Sequence, residues 1–579
     1  MRLTAAVFLV VSALVFIRPD PVEAWSSSDA AVLLIEHGTW QAGGGVSTPS
    51  DTEVDSSGNS YITGSIREAS DCCGNGFDVY VSKVNSSGNI VWTKVFETVP
   101  GGSGFFTNYG NDTGEAITVD SSGNVYITGL YRSTVDFDPG SGTMELTNMG
   151  SGLHYDIFIV KLDSSGNLVW AKSVGVNGQD FVEDIAVDSS GNVYVTGFIG
   201  RENNDFDPGP GTVTLPFNGN WATNDQNAFI LKLDSSGNYV WAKSLSGTDP
   251  TPQANTQGKK LAIDSSGFVY IAGEFANSID LDPGTGIEKF TSNGNSDIFV
   301  LKLDSSSNYV WAKTFGSDVG YLPDGVSSIA VDSSGNIIIG GWFRGDNVDF
   351  NPGPGTAELD VYPADQGYHQ ATGFILKLDS SGNYVWVKQP GTSGVKNVVI
   401  DSSDNIHMNG HFTGTFDFDP NEGIAELTST RDDRNATFTS KWDSAGNYIW
   451  AKKIDSSNGS VTAGGLGVDS SGNVYRVSSW PSDYTIDFGN GVGIPNPTET
   501  SGSYLSKFDS SGNLAPGVAA TPPGFTLSTT SVSVAESGTT ATFSVVLDAQ
   551  PAGDVVIYAF SSDPGEAQVG APLTFTSSN

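Results

Sequence analysis

The chain has 579 residues, 38% hydrophobic and 16% charged, with a formal net charge of −38. That balance excludes a solvated disordered polymer, and the acidity excludes a binder of nucleic acid or anionic lipid, because such a surface repels phosphate. The sequence has two cysteines, the adjacent Cys72 and Cys73, so no disulfide framework stands in for a packed core.

At the N-terminus, Arg2 precedes an apolar run from Leu3 to Ile17, and Val22-Glu23-Ala24 follows. A short apolar core followed by small residues at alternate positions is the pattern of a cleaved export signal, here residues 1–24. The run is short against the ~20 residues that span a bilayer. A secreted or cell-surface protein without membrane insertion is therefore expected. Next come Val32-Leu33-Leu34-Ile35 and Thr39-Trp40-Gln41-Ala42, which read as a strand.

From there a repeat governs the chain. Segments such as Thr118-Val119-Asp120-Ser121-Ser122-Gly123-Asn124-Val125-Tyr126-Ile127 recur with their Asp at 55, 120, 188, 264, 332, 401 and 469. A second series, such as Lys161-Leu162-Asp163-Ser164-Ser165-Gly166-Asn167-Leu168-Val169-Trp170, starts its turns at Asn85, Asp163, Asp234, Asp304, Asp379, Asp443 and Asp509. Each is a hairpin: alternating apolar and β-branched residues flank a polar turn in which Asp closes the loop and Gly takes positive φ. Ser307 and Asp404 replace that Gly in two turns, and the neighbouring Asn308 and Asn405 are expected to take the left-handed conformation instead. Two hairpins per period give four strands, a to d, of one propeller blade. Seven periods give an all-β, seven-bladed propeller over residues 30–514. Its tight turns share one face, and its long b–c and d–a loops share the other. The seventh outer strand carries no Trp after Asp509, so the N-terminal strand is expected to close the ring. Trp40 would then join Trp92, Trp170, Trp241, Trp311, Trp386 and Trp450 as one blade-packing Trp per blade.

These segments resemble the bacterial seven-bladed β-propeller repeats (SBBP type), a family that is mostly exported and is defined by its repeats, not by a catalytic site. The resemblance implies a fold, not an activity. The Asp-Ser-Ser-Gly-Asn-Leu-Val-Trp run also resembles the tryptophan-docking repeat of quinoprotein dehydrogenases, some of which carry a vicinal disulfide such as Cys72-Cys73 could form. Against that, the turn is one residue shorter, and no accompanying catalytic Asp or quinone-binding set can be identified.

The b–c loops hold a second motif. Asp136-Phe137-Asp138-Pro139-Gly140 recurs at Asp205/Asp207, Asp280/Asp282, Asp349/Asn351 and Asp417/Asp419, with a remnant at Asp487-Phe488 and no copy in blade one. Oxygen ligands two residues apart before a glycine turn suit Ca²⁺. Asp-Pro-Gly is equally a good turn, with the aspartates outside and Phe packed inside, and the loss of the second Asp in two copies favours the turn. His407 and His411 flank one strand, a poor zinc pair.

Residues 515–524 form a Pro-rich linker. Beyond it, Phe525-Thr526-Leu527, Val532-Ser533-Val534, Ala541–Asp548 and Val555-Val556-Ile557 are strand-like, and the stretch 525–579 resembles a truncated Calx-beta β-sandwich. By that resemblance Glu536, Asp563 and Glu566 are candidate calcium ligands. The expectation from sequence is an exported, monomeric binding or adhesion scaffold with calcium as its candidate cofactor. An extracellular glycan or protein would be its partner on the long-loop face. The alternative is an extracellular propeller enzyme (quinoprotein-like dehydrogenase, lyase or glycosidase), whose mark would be unlike polar residues from different blades gathered at the axial channel.

Overall fold

The structure is a computed structural model. It describes residues 32–35, 46–67, 76–99, 112–148, 154–175, 180–200, 204–217, 225–247, 255–318, 323–361, 371–421, 423–430, 435–456, 460–480, 485–488, 493–495, 502–514 and four short strands beyond. The signal segment, Trp40, Cys72, Cys73, Glu536, Asp563 and Glu566 lie outside the described residues.

Among the described residues there is no helix, and the strands form seven four-stranded antiparallel blades. Blade two shows the pattern, with strands Thr113–Val119, Val125–Tyr131, Asp156–Leu162 and Leu168–Val174 in the order a, b, c, d. The a strands of the seven blades are Val46–Val54, Thr113–Val119, Asp180–Val187, Thr256–Ile263, Gly325–Val331, Gly394–Ile400 and Leu466–Val468. Each packs against the a strands of both neighbours, so together they line the axis. The b strands are buried on both faces between neighbouring blades, which is why Val125–Tyr131 is buried along its whole length.

The turns close as their residues dictate. In the first hairpin of blade two, Asp120 Oδ1 accepts the backbone N–H groups of Ser122 and Asn124, while Oδ2 accepts the Asn124 amide and the Tyr126 hydroxyl at 3.0 Å. Gly123 there has φ of 79°. Where Gly is absent, Ser307 and Asp404 themselves adopt φ of 68° and 60°. This corrects the expectation placed on Asn308 and Asn405. The hydrogen bonds of the turn fix which position must be left-handed, and the side chain there has to comply.

The outer tryptophans join blades. Trp170 Nε1 donates to the Ser235 carbonyl of the next blade at 3.2 Å, and Trp92, Trp241, Trp311 and Trp450 do the same to Ser164, Ser305, Ser380 and Ser510. The strand-c lysines opposite Trp92, Trp170, Trp241 and Trp311 reach the same carbonyls, as Lys302 reaches Ser380 at 2.9 Å. Blade seven closes onto blade one by the same device, with Lys507 Nζ donating to Ser86 at 3.1 Å.

The closing strand is Val32–Ile35, which pairs antiparallel with Gly502–Phe508 as the outer strand of blade seven. In the other blades the Trp opposes the c-strand Lys, as Trp170 opposes Lys161. In blade seven Val32 opposes Ser506, so the chain runs from there through Ile35 away from Lys507. Trp40, which the count of seven assigned to blade seven, lies outside the described residues. C-terminal to the propeller, Phe525–Leu527 pairs with Val545–Leu547 and Val555–Ile557 with Leu573–Phe575.

Candidate functional site

The paired aspartates of the b–c loops are held apart on separate blades, each occupied with its own turn. Asp280 Oδ1 accepts the backbone N–H groups of Asp282 and Glu288 at 3.0 and 2.9 Å, and Asp282 Oδ1 accepts that of Gly284 at 2.8 Å. Asp136 and Asp138, Asp205 and Asp207, and Asp417 and Asp419 repeat this geometry. Asn351 substitutes for the second Asp without loss of the turn, its N–H donating to Asp349 Oδ1 at 2.9 Å and its Oδ1 accepting from Gly353 at 2.8 Å. The residue between the two is the packing element: Phe137, Phe206, Leu281, Phe350 and Phe418 are all buried. These hairpins also reach sideways. Thr134–Asp136 pairs with the outer strand Ile90–Thr98 of the preceding blade, and Thr485–Asp487 pairs likewise with Tyr448–Ser456. Each loop is a latch between blades. Among the described residues no three His, Cys, Asp or Glu side chains gather as a metal-binding group.

The two histidines part company as well. His407 stands where five other blades have Tyr and blade five has Ile338, its Nε2 3.0 Å from Asp401 Oδ2, with Lys441 Nζ also 3.0 Å from that oxygen. His411 Nε2 accepts the Ala463 backbone N–H of the next blade at 2.9 Å, and burial, then Arg476 and Lys396, hold its pKa down at about 4.

The residues that do converge come from a feature the repeat hides. The a strands of blades one to six carry a β-bulge at the same place. In blade two it faces Gly129 of strand b, where a Cβ would come within 2.0 Å of the Thr113 carbonyl. The bulge frees one residue from cross-strand pairing and aims its neighbours at the axis. Around the ring these pairs are Ser50-Asp51, Glu115-Ala116, Glu183-Asp184, Lys259-Lys260, Ser327-Ser328 and Lys396-Asn397, and Gly464-Gly465 occupies the place in blade seven. The charges are segregated: acids on blades one to three, together with Glu53, and lysines on blades four and six.

The ring is electrostatically one unit. Lys259 Nζ lies 2.8 Å from Glu183 Oε1, and Lys260 Nζ 3.8 Å from Asp184 Oδ1. Asp184 Oδ2 accepts the Leu261 N–H at 2.7 Å, and Asp51 Oδ2 accepts the Ile117 N–H at 3.0 Å, so carboxylates tie the bulges of blades one and three to the next blade. Burial pushes Glu53 up to about 8, helped by Asp51 and Asp184, and pushes Asp184 up to about 6 against the pull of Lys260. Burial also raises Asp51 and Glu115. It opposes charge on Lys260 too, but Asp184, Asp51, Glu183 and Glu115 outweigh it and raise that pKa. Lys396 is lowered, by burial and then by Lys260. Solvent nonetheless reaches these groups, with Lys260 28% and Glu183 30% exposed at the side chain. Groups surrounded by protein yet wetted are those of a narrow open channel.

Beside the ring, on the long-loop face, a cleft of about 350 Å³ lies between blades five and six. Ser327, Trp342, Arg344, Ser393, Lys396, His411 and Asn435 are on its wall. Trp342 and His411 occupy one repeat position, held elsewhere by Leu130, Phe198 and Glu274. Sequence reading missed both the ring and the cleft. Their signal was the converse of the motif: the two residues four and five places before each first-turn Asp are where the copies disagree most.

With the ring described, kinship can be stated. The β-propeller repeat family (SBBP) matches residues 169–197 and 240–274. Those two stretches are similar to SBBP repeats. It is 22% identical over 449 residues, 70% of its length and 31% of the relative's, to an uncharacterized WD repeat-containing protein of Acanthamoeba polyphaga mimivirus. It is 25% identical over 193 residues, 33% of its length and 18% of the relative's, to the regulatory protein FlaEY of Caulobacter vibrioides. It thus spans less than a third of either relative. Among solved structures, the Dos1 propeller is similar at TM-score 0.37 and 9% identity, covering 81% of this chain and 93% of that one. A PL25 ulvan lyase is similar at TM-score 0.37 and 11% identity, covering 81% and 95%. Scores this low say nothing of activity.

Proposed function

We propose that this SBBP-repeat propeller is an exported binding scaffold that takes a polar surface ligand, a glycan or protein, on its long-loop face over the mouth of the axial channel. The observation that carries this reading is the ring of unlike residues on the a-strand bulges. The repeat keeps its turns, tryptophans and latches nearly constant, and packing accounts for all of them. Packing does not call for five acids on one arc and three lysines on the other. Charges set in a concave, partly desolvated place are what recognition of a polar ligand uses. The enzyme reading draws on the same ring, since perturbed acids and lysines are also what catalysis employs.

A panel of immobilised polysaccharides and extracted surface proteins, probed with the purified chain, tests this. A Glu183→Gln/Lys259→Gln double variant, which removes an ion pair and leaves the net charge unchanged, should lose at least tenfold in affinity for whatever the native chain retains. A turn-face variant, Ser236→Ala, should not. Unchanged affinity in a folded double variant refutes the reading. Consumption of the bound panel member would transfer it to the enzyme.

A further inference from the structure

We infer that the cleft between blades five and six is a subsite for an acidic saccharide, a sugar unit bearing a carboxylate or sulfate. This rests on the loop-face reading above and names its ligand class. Trp342 supplies a flat apolar face. It is braced from behind by Gly325, where even a Cβ would come within 2.3 Å of the indole, and Gly394 at the start of the next blade's inner strand lies alongside. The platform is therefore set before any ligand arrives, and an aromatic face of this kind packs against the C–H face of a sugar ring. Arg344 stacks on the same indole with its guanidinium carbon 5.4 Å from the ring centroid, and its buried Nε has no hydrogen-bond partner.

The charged and nitrogen-bearing side chains on this wall offer donors. Lys396 makes no ion pair among the described residues; burial, then Lys260, disfavours its charge, and Lys259 adds to this while Glu183 and Asp51 oppose it. Asn435 spends its carbonyl oxygen on the Thr413 hydroxyl at 2.8 Å, leaving its amide N–H groups to the cleft. His411 accepts through Nε2, so its proton sits on Nδ1. An anionic oxygen between Arg344 and Lys396 satisfies the donors and relieves the repulsion among the lysines. The acid arc across the channel is suited to the rest of such a ligand, because carboxylates accept hydrogen bonds from hydroxyl groups. The same arc repels a dense polyanion. One charged group on a hydroxyl-rich body meets both halves, and the cleft volume is near the lower end of the about 300–1,000 Å³ usual for ligand sites.

Isothermal titration with oligogalacturonate, dextran sulfate, and neutral malto-oligosaccharide and dextran as controls tests this on the full chain. At least one acidic probe should bind at least tenfold more tightly than its neutral counterpart, and which one binds distinguishes carboxylate from sulfate. Trp342→Ala and Lys396→Gln should each weaken that binding tenfold or more, while Trp342→Phe should recover most of it. Equal binding of neutral and acidic glycans, or no binding of any probe, overturns the subsite. Acidic-glycan binding untouched by folded Trp342→Ala and Lys396→Gln also overturns it but leaves the loop-face reading standing, since that is decided by the Glu183/Lys259 variant. Loss of a surface protein, not a glycan, in the Trp342→Ala variant overturns the saccharide and keeps the face.

Discussion

Ser307 and Asp404 show what one position in a turn demands. Both hold a left-handed backbone where the other tight turns have Gly, at a cost of order 1–2 kcal/mol for a residue with a Cβ. Ser307→Gly should therefore raise the stability of blade four by about 1 kcal/mol in urea unfolding, and the reverse change, Gly237→Ser, should lower it by more. At Gly237 a Cβ would also meet Lys172 Cε at 2.8 Å and the Trp170 indole at 3.0 Å. Equal midpoints for the two variants would show that the turn tolerates either residue. The requirement for Gly was legible in the sequence, but the position bearing the strain was not, because it is fixed by the bonds Asp304 accepts from Ser306 and Asn308. The ring residues were illegible for another reason. Glu183 and Lys259 look like ordinary exposed charges of a strand until the bulge turns them inward and the ring brings different blades together.

The Asp-Phe-Asp-Pro-Gly hairpin is the element at which a turn and a bound ion predict different behaviour. As a latch, it depends on carboxylate oxygens accepting amide N–H groups and on an apolar residue seated between blades. Asp280→Ala orphans the Asp282 and Glu288 amides, so it should cost about 1–3 kcal/mol, whereas Asp280→Asn keeps an acceptor and should cost less than half as much. Differential scanning calorimetry in calcium and in chelator should give the native chain one and the same midpoint. A rise of several degrees in calcium would show that the carboxylates serve an ion as well as the turn. Hairpin existence, strand order and the buried Phe could all be read from alternation and turn chemistry. The lateral pairing of each hairpin with the preceding blade could not, because it joins segments whose contact depends on how blades stack.

Over the whole molecule, two populations of carboxylates pull stability in opposite directions. Burial raises Glu53 and Asp180 to about 8 and Asp112, Glu274 and Asp297 to about 7. The folded chain therefore binds more protons than the unfolded one between about pH 4 and 8, and their contribution falls as pH rises through that window. Despite some burial, the amides of their own loops lower Asp120, Asp234, Asp304 and Asp379, whose contribution is lost instead as pH falls below about 4. Thermal midpoints should accordingly peak on the acid side of neutrality and decline toward about pH 9. Glu53→Gln should flatten that decline, raising the midpoint at about pH 9 while leaving it nearly unchanged at about pH 5. A midpoint that climbs from about pH 5 to 9 would contradict the sign.

The bulge on the a strands of blades one to six has a consequence for how such a molecule can change. The residue it frees has no cross-strand partner and closes no turn. The residue after it is tied into the frame, Asp51, Asp184 and Ser328 by hydrogen bonds to the next blade and Ala116 by burial. The freed residue can therefore be rewritten at little cost to the frame, as a tumbler is reset inside a lock whose casing stays the same. Exchanging Lys259 for Glu183, or either for Ser327, would alter what the axis accepts. Six such settings on one casing offer a large family of keys.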